Sequence, residues 1–143
     1  MLSDTLNSAK TRTFVLENYL KDLRQKPRWV DGSGLSRYNL FTPESMVHVL
    51  HKMYQEIPKE RLLLFFPAGG QSGTLEEWYP GDANPYIFAK TGSLGNNHNL
   101  SGYLLTKSGR TLIFSFMNNH FMDNPSEIKE RMQRIFEGIR DTY

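Results

Sequence analysis

Lys90-Thr91-Gly92-Ser93 is the run in this chain with the clearest chemical content. It falls at the end of a strand-like segment. A lysine on a strand edge sets a fixed positive charge beside a cleft. A small hydroxyl follows it, and glycine then lets another backbone approach closely. That combination suits recognition of a carboxylate on an extended peptide. Taken alone, such a run more commonly means an ordinary lysine at a strand end. Other candidate groups are weaker. His48 and His51, three apart on a helical pattern, could share a metal, but no carboxylate or third histidine stands near them at zinc-site spacing. His98 and His120 lie in or next to asparagine-rich turns, so partly buried or surface histidines are expected at all four positions. Asp4, Asp22 and Asp31 form no spaced pair of the kind glycoside hydrolysis requires. Trp29 and Trp78 could line a sugar-binding surface, although core or hinge packing is the commoner role of tryptophan.

The elements that must carry these residues are legible in the periodicity. Leu16, Tyr19, Leu20 and Leu23 fall at helical spacing, and Pro27 ends the pattern. Asp31 to Asn39 is a polar loop with two glycines. Thr42 then caps a second helix that has Pro43 at its first position and a stripe of Met46, Leu50, Met53, Tyr54 and Ile57. Pro58 stops it. Arg61 to Phe66 is a short apolar element of either type, and Pro67 to Leu75 is a glycine-rich loop. Pro80 to Pro85 is a turn region, after which the period becomes strand-like. Tyr86–Thr91, Leu100–Thr106 and Thr111–Asn118 read as three strands, the last two joined by a hairpin at Lys107-Ser108-Gly109-Arg110. Asn124, Pro125 and Glu127 open a closing helix with a stripe of Ile128, Met132, Ile135, Phe136 and Ile139.

Composition bounds the function. The 143 residues, 38% hydrophobic with 9 Phe and 7 Tyr, suffice for one domain or a piece of a larger one. A net charge of +2 without a concentrated basic patch argues against a nucleic-acid partner. The absence of cysteine excludes thiolate zinc sites, disulfides and cysteine catalysis. No apolar run approaches the length of a membrane span, and Met1 to Lys10 shows no signal-peptide pattern.

Three motifs, read together, carry a resemblance. Asp31-Gly32-Ser33-Gly34-Leu35-Ser36-Arg37-Tyr38-Asn39-Leu40, Pro67-Ala68-Gly69-Gly70-Gln71-Ser72-Gly73-Thr74-Leu75, and Ala89-Lys90-Thr91-Gly92-Ser93-Leu94 followed by Asn99-Leu100-Ser101-Gly102-Tyr103 occur in that order. They resemble the class C low-molecular-mass penicillin-binding proteins, the D-alanyl-D-alanine carboxypeptidase and endopeptidase family. The resemblance implies a mixed α/β (α+β) fold, the serine β-lactamase/penicillin-binding-protein type, with an antiparallel sheet flanked by helices. It implies hydrolysis of peptidoglycan stem peptides through an acyl-enzyme, without cofactor or metal. β-Lactams would acylate the full-length protein, which would work in the periplasm or otherwise outside the cytoplasm.

The same resemblance implies catalytic roles for Ser36, Asn39 and Lys90, and substrate binding by Lys90, Thr91, Gly92 and Ser93. Two departures accompany it. The family's second motif is Ser-x-Asn, whereas Ser36 and Asn39 here are separated by two residues and Tyr38 stands at the strict asparagine position. Either the loop is one residue wider or the pairing is off by one. The family's nucleophile motif, Ser-x-x-Lys, is absent upstream of Ser36. The one literal match, Ser126-Glu127-Ile128-Lys129, follows the lysine strand, and both polar residues lie off the apolar stripe of the closing helix. They should face solvent, where a lysine keeps its proton and cannot serve as a base. Residues 1–143 are therefore expected to be a C-terminal fragment of the peptidase domain that is inactive alone and prone to homo-oligomerise through uncovered sheet surface. A non-catalytic cell-wall peptide-binding module, or a β-lactamase or esterase on the same fold, is the alternative.

Overall fold

Caps and packing, rather than propensity alone, set where the elements of this chain begin. The computed structural model describes residues 7–143, so Asp4 and the start of the Met1–Lys10 stretch lie outside them. Asn7 opens α1 (Ser8–Asn18), its side-chain oxygen accepting from the backbone N–H groups of Ala9 and Lys10. This helix starts earlier than its apolar pattern predicts and stops before Leu20 and Leu23. It buries no residue, so its stripe has nothing to extend against. Leu16, Leu20, Leu23 and Pro27 instead line a surface cavity of about 500 Å³.

Helix α2 (Pro43–Glu56) matches its expected start: Thr42 Oγ1 accepts from Ser45 N at 3.2 Å, and Pro43 loses no helical hydrogen bond there. Leu50 is buried, Met53 and Ile57 pack beside it, and Tyr54 stays at the rim, 37% exposed. The ambiguous Arg61–Phe66 segment falls in a short helix, α3 (Lys59–Leu63), and the turn after it; Leu62 is fully buried. A single 3-10 turn, Gly73–Leu75, closes the glycine-rich loop.

The three strands form one antiparallel sheet in the order β1 (Ile87–Leu94), β2 (Asn97–Leu105), β3 (Thr111–Asn119). β1 runs three residues further than expected and β2 starts three earlier. Gly95-Asn96 turns between them, Asn96 taking the left-handed conformation (φ 51) that asparagine tolerates. β2 is central and its glycine is obligatory: a Cβ on Gly102 would lie 2.2 Å from the Phe88 carbonyl oxygen.

Alternation divides the sheet into two faces. Ile87, Ala89, Leu100, Leu104, Leu112, Phe114 and Phe116 pack under α4 (Pro125–Thr142), which Asn124 caps through Ser126 N at 3.0 Å. Ile128, Met132 and Phe136 of α4 are buried there, whereas Ile135 is left 45% exposed at the margin of the stripe. On the opposite face Tyr103 and Ile113 meet Leu50 and Leu62, and Tyr103 donates its hydroxyl to the Leu50 carbonyl at 2.8 Å. The result is a helix, sheet, helix sandwich, the antiparallel sheet flanked by helices that the sequence implied.

Candidate active site

The polar loop Asp31–Leu40 is closed at its base by paired backbone bonds between Arg28 and Leu40, at 3.0 and 2.8 Å. Asn39 staples its interior. Its Oδ1 accepts from Val30 N (2.7 Å) and Asp31 N (3.2 Å), and its Nδ2 donates to Asp31 O (3.2 Å) and Asp31 Oδ1 (3.3 Å). An amide side chain has two donors and two acceptor lone pairs, so Asn39 is fully used inside the loop. The Asp31 carboxylate also accepts from the Ser33 hydroxyl at 2.9 Å and the Ser33 N–H at 3.1 Å, and these bonds, with Asn39, hold its pKa below the ordinary carboxylate value. Ser36 Oγ accepts from Tyr38 N at 3.2 Å. Tyr38 turns outward, with the Arg28 guanidinium 5.2 Å from its ring centre. Removing the staple in Asn39→Ala should strip the Val30 and Asp31 N–H groups of their acceptor and, in this exposed to half-buried loop, cost about 0.5–1.5 kcal/mol. Faster amide hydrogen exchange at those two positions is the expected signature.

The lysine strand has a half-covered edge. Gly69 N donates to Ile87 O at 2.9 Å and Ala89 N to Pro67 O at 3.0 Å, so the glycine-rich loop pairs with the first half of β1. The Thr91 hydroxyl donates to Thr74 Oγ1 at 2.9 Å and ties the same loop down. Beyond Ala89, among the described residues, no backbone hydrogen bond reaches the outer edge of β1. At Gly92 a Cβ would meet nothing within 4 Å. An extended peptide can add to such an edge as a further strand.

Lys90 and Gly92 face the α2 side of the sheet. There Lys90, Thr91, Gly92, Asn39, Asn99 and Ser101 share a groove of about 460 Å³ whose floor is apolar: Leu40, Phe41, Met46, Leu50, Phe66 and Met117. Ser36 lines an adjoining polar cavity of about 310 Å³ with Arg37, Asn97 and His120, and Asn39, Leu40, Asn99 and Asn119 belong to both. The two motifs therefore meet at one composite groove. Ser93 does not line it. Its hydroxyl lies 2.8 Å from His98 Nδ1, on the α4 face. Lys90 donates to the Thr91 carbonyl at 2.9 Å, and among the described residues it has no acidic partner.

The remaining candidates have local explanations. His48 Nε2 lies 3.0 Å from Asp22 Oδ2 while Lys52 holds Oδ1 at 2.8 Å, a clamp of the preceding loop onto α2. The Lys52 hydrogen bond is the main reason that the Asp22 pKa falls to about 2. Trp29 donates to Asp31 O at 2.8 Å, and Trp78 packs on the core with Lys129 Nζ 4.4 Å from its ring centre. Reading His98 as part of a turn missed its place. It sits in β2 at 2% exposure, and its spacing of two from the buried Leu100 was the available signal.

Comparison with known proteins gives concordant results. The model of the D-Ala-D-Ala carboxypeptidase 3 (S13) family matches residues 23–138. The chain is 32% identical over 116 residues to D-alanyl-D-alanine carboxypeptidase DacB of Haemophilus influenzae, a match covering 79% of this chain and 24% of that protein. It is 30% identical to penicillin-sensitive carboxypeptidase A of Dictyostelium discoideum, covering 74% and 22%. Thus the chain spans about a quarter of the length of these relatives. Among solved structures, penicillin-binding protein 4 from Haemophilus influenzae superposes with a TM-score of 0.75 at 24% identity, over 92% of this chain and 32% of that one. The same protein complexed with a β-lactam gives 0.70 at 26% identity, over 81% and 29%.

Proposed function

The chain belongs to the D-Ala-D-Ala carboxypeptidase 3 (S13) family, and from that premise we propose that it forms the carboxylate-recognising wall of a serine peptidase acting on peptidoglycan stem peptides outside the cytoplasm. One observation carries the reading: among the described residues Lys90 is the sole charged residue lining its groove of otherwise apolar and neutral polar groups, beside an open strand edge, with Arg37 in the adjoining cavity. An ammonium without a local counter-ion, next to an apolar floor, is a strong site for a peptide carboxylate. The edge from Lys90 to Leu94 supplies backbone groups for an extended ligand, and Gly92 leaves room for its main chain.

In the whole protein the reaction is serine acyl transfer, with a base that takes the serine proton and oriented donors for the tetrahedral intermediate. The roles proposed for this chain are carboxylate binding by Lys90, cleft wall by Thr91 and Gly92, and hydroxyl contact by Ser36. Asn39 acts by holding the loop that presents Ser36. β-Lactams, whose carboxylate imitates that of the peptide, are the proposed ligands of the same wall in the whole protein. A peptide-binding module without hydrolysis is the second reading, favoured by the commitment of the Asn39 amide to its own loop. The affinity of the chain for N-acetyl-D-alanyl-D-alanine tests the shared element. Lys90→Met should weaken it at least about tenfold, because a hydrogen bond to a charged group contributes about 1.5–3 kcal/mol.

Association of copies is also proposed. Thr111–Asn119 contains no charged residue and no proline, and among the described residues its backbone bonds only to β2. An uncharged edge of this length is a template for pairing. Light scattering should show mass rising with concentration; a constant monomer mass contradicts it.

A further inference from the structure

Ser93 and His98 are direct partners in the β1–β2 register, and their Oγ and Nδ1 atoms lie 2.8 Å apart. Two protonation patterns make that bond. Either the serine donates to a bare Nδ1, or an Nδ1–H donates to the serine oxygen. The surroundings choose between them. His98 is 2% exposed, and its Nε2 is buried with no hydrogen-bond partner among the described residues. The Asn118 side-chain nitrogen donates to the His98 carbonyl at 3.2 Å and to Met132 Sδ at 3.3 Å, so it does not serve Nε2. If Nε2 carried the proton, a strong donor would be orphaned in the interior; a bare Nε2 orphans only a lone pair, the more tolerated of the two. The doubly protonated ring would orphan the donor and bury a charge as well. Burial first, and the Lys129 ammonium second, hold the His98 pKa below its ordinary value, consistent with a neutral ring.

We propose that His98 is a positioning residue whose Nδ1–H donates to the Ser93 oxygen and thereby leaves the Ser93 proton free to donate to a carboxylate oxygen of a peptide at the open edge of β1. Ser93 itself is exposed, so that proton is accessible from outside while the histidine that directs it is not. The other tautomer would spend the serine proton inward and offer a carboxylate only lone pairs. This inference rests on the carboxylate reading of the site and extends it to a serine outside the Lys90 groove.

Long-range proton–nitrogen correlation NMR on the chain with labelled histidine, at neutral pH and without ligand, decides the tautomer. The expected His98 pattern is a protonated Nδ1 with a bare Nε2. A protonated Nε2, alone or in an imidazolium, overturns the proposal whatever the chain binds. Affinity for N-acetyl-D-alanyl-D-alanine gives the functional readout. Ser93→Ala should weaken binding about tenfold by deleting the hydroxyl, and His98→Leu about threefold because the hydroxyl remains but no longer has the Nδ1–H that orients it; the double variant should bind no more weakly than Ser93→Ala. His98→Asn, which keeps an N–H close to the Nδ1 position, should bind like the parent. Additive losses, or His98→Leu binding like the parent, contradict the positioning role. If the parent chain has the expected tautomer and binds no peptide, the carboxylate reading fails while the His98–Ser93 geometry stands.

Discussion

Phe136→Ala is expected to destabilise this chain by about 3–5 kcal/mol, the range for removing a fully packed aromatic ring. Phe136 is 1% exposed, and its ring centre lies 4.6 Å from that of Phe114, 5.7 Å from Tyr79 and 5.9 Å from Phe116. It is the point where α4 seats on the sheet, so its loss opens a cavity between two layers that cannot collapse without moving a strand. With a urea dependence of roughly 2 kcal/mol per molar, the unfolding midpoint should fall by about 2 M. Phe65→Ala is the control: Phe65 is 54% exposed and its removal should change stability by less than about 0.5 kcal/mol. A Phe136→Ala chain within 1 kcal/mol of the parent would mean that α4 is not docked as described.

The second large effect is all or none. Incubated with benzylpenicillin, the 143-residue chain should gain no acyl adduct by intact-mass spectrometry. Its one Ser-x-x-Lys spans the first turn of α4, where Ser126 is exposed. Lys129 Nζ rests over the Trp78 ring, 4.4 Å from its centre, and among the described residues no hydrogen bond joins it to Ser126. Ser36 lines the cavity adjoining the Lys90 groove, and among the described residues no lysine lines that cavity. A stoichiometric adduct at any serine would contradict this and would locate a nucleophile where the geometry offers none.

Signals that are local in sequence proved the readable ones. Thr42 with Pro43, and Asn124 with Pro125, mark the two helices that flank the sheet, because capping acts within a few residues. The apolar alternation of β3 and the Lys107–Arg110 hairpin likewise gave strand and register. What escaped depends on contacts across the chain. The stretch Asn96 to Asn99 lacks apolar alternation, so the extension of β1 and β2 around Gly95-Asn96 stayed hidden, and with it the burial of His98. The choice between Asn39 and a one-residue shift could not be made from spacing, because bonds from Asn39 to Val30 and Asp31 cross eight or nine residues of loop. Lys90 and the Ser36 loop were placed in one site by resemblance. The groove that joins them is a product of α2 packing against the sheet, which no local pattern records.

Chemical-shift mapping of the labelled chain with N-acetyl-D-alanyl-D-alanine, compared with the same dipeptide as its C-terminal amide, tests the central claim most directly. The acid should perturb Lys90, Thr91 and Gly92 together with residues of the Ser36 loop. The amide should leave them in place, and Lys90→Met should abolish the difference, since among the described residues the lysine is the one charged group lining its own groove, Arg37 lying in the adjoining cavity. An equal response to acid and amide, or none to either at millimolar peptide, would contradict carboxylate recognition by this wall.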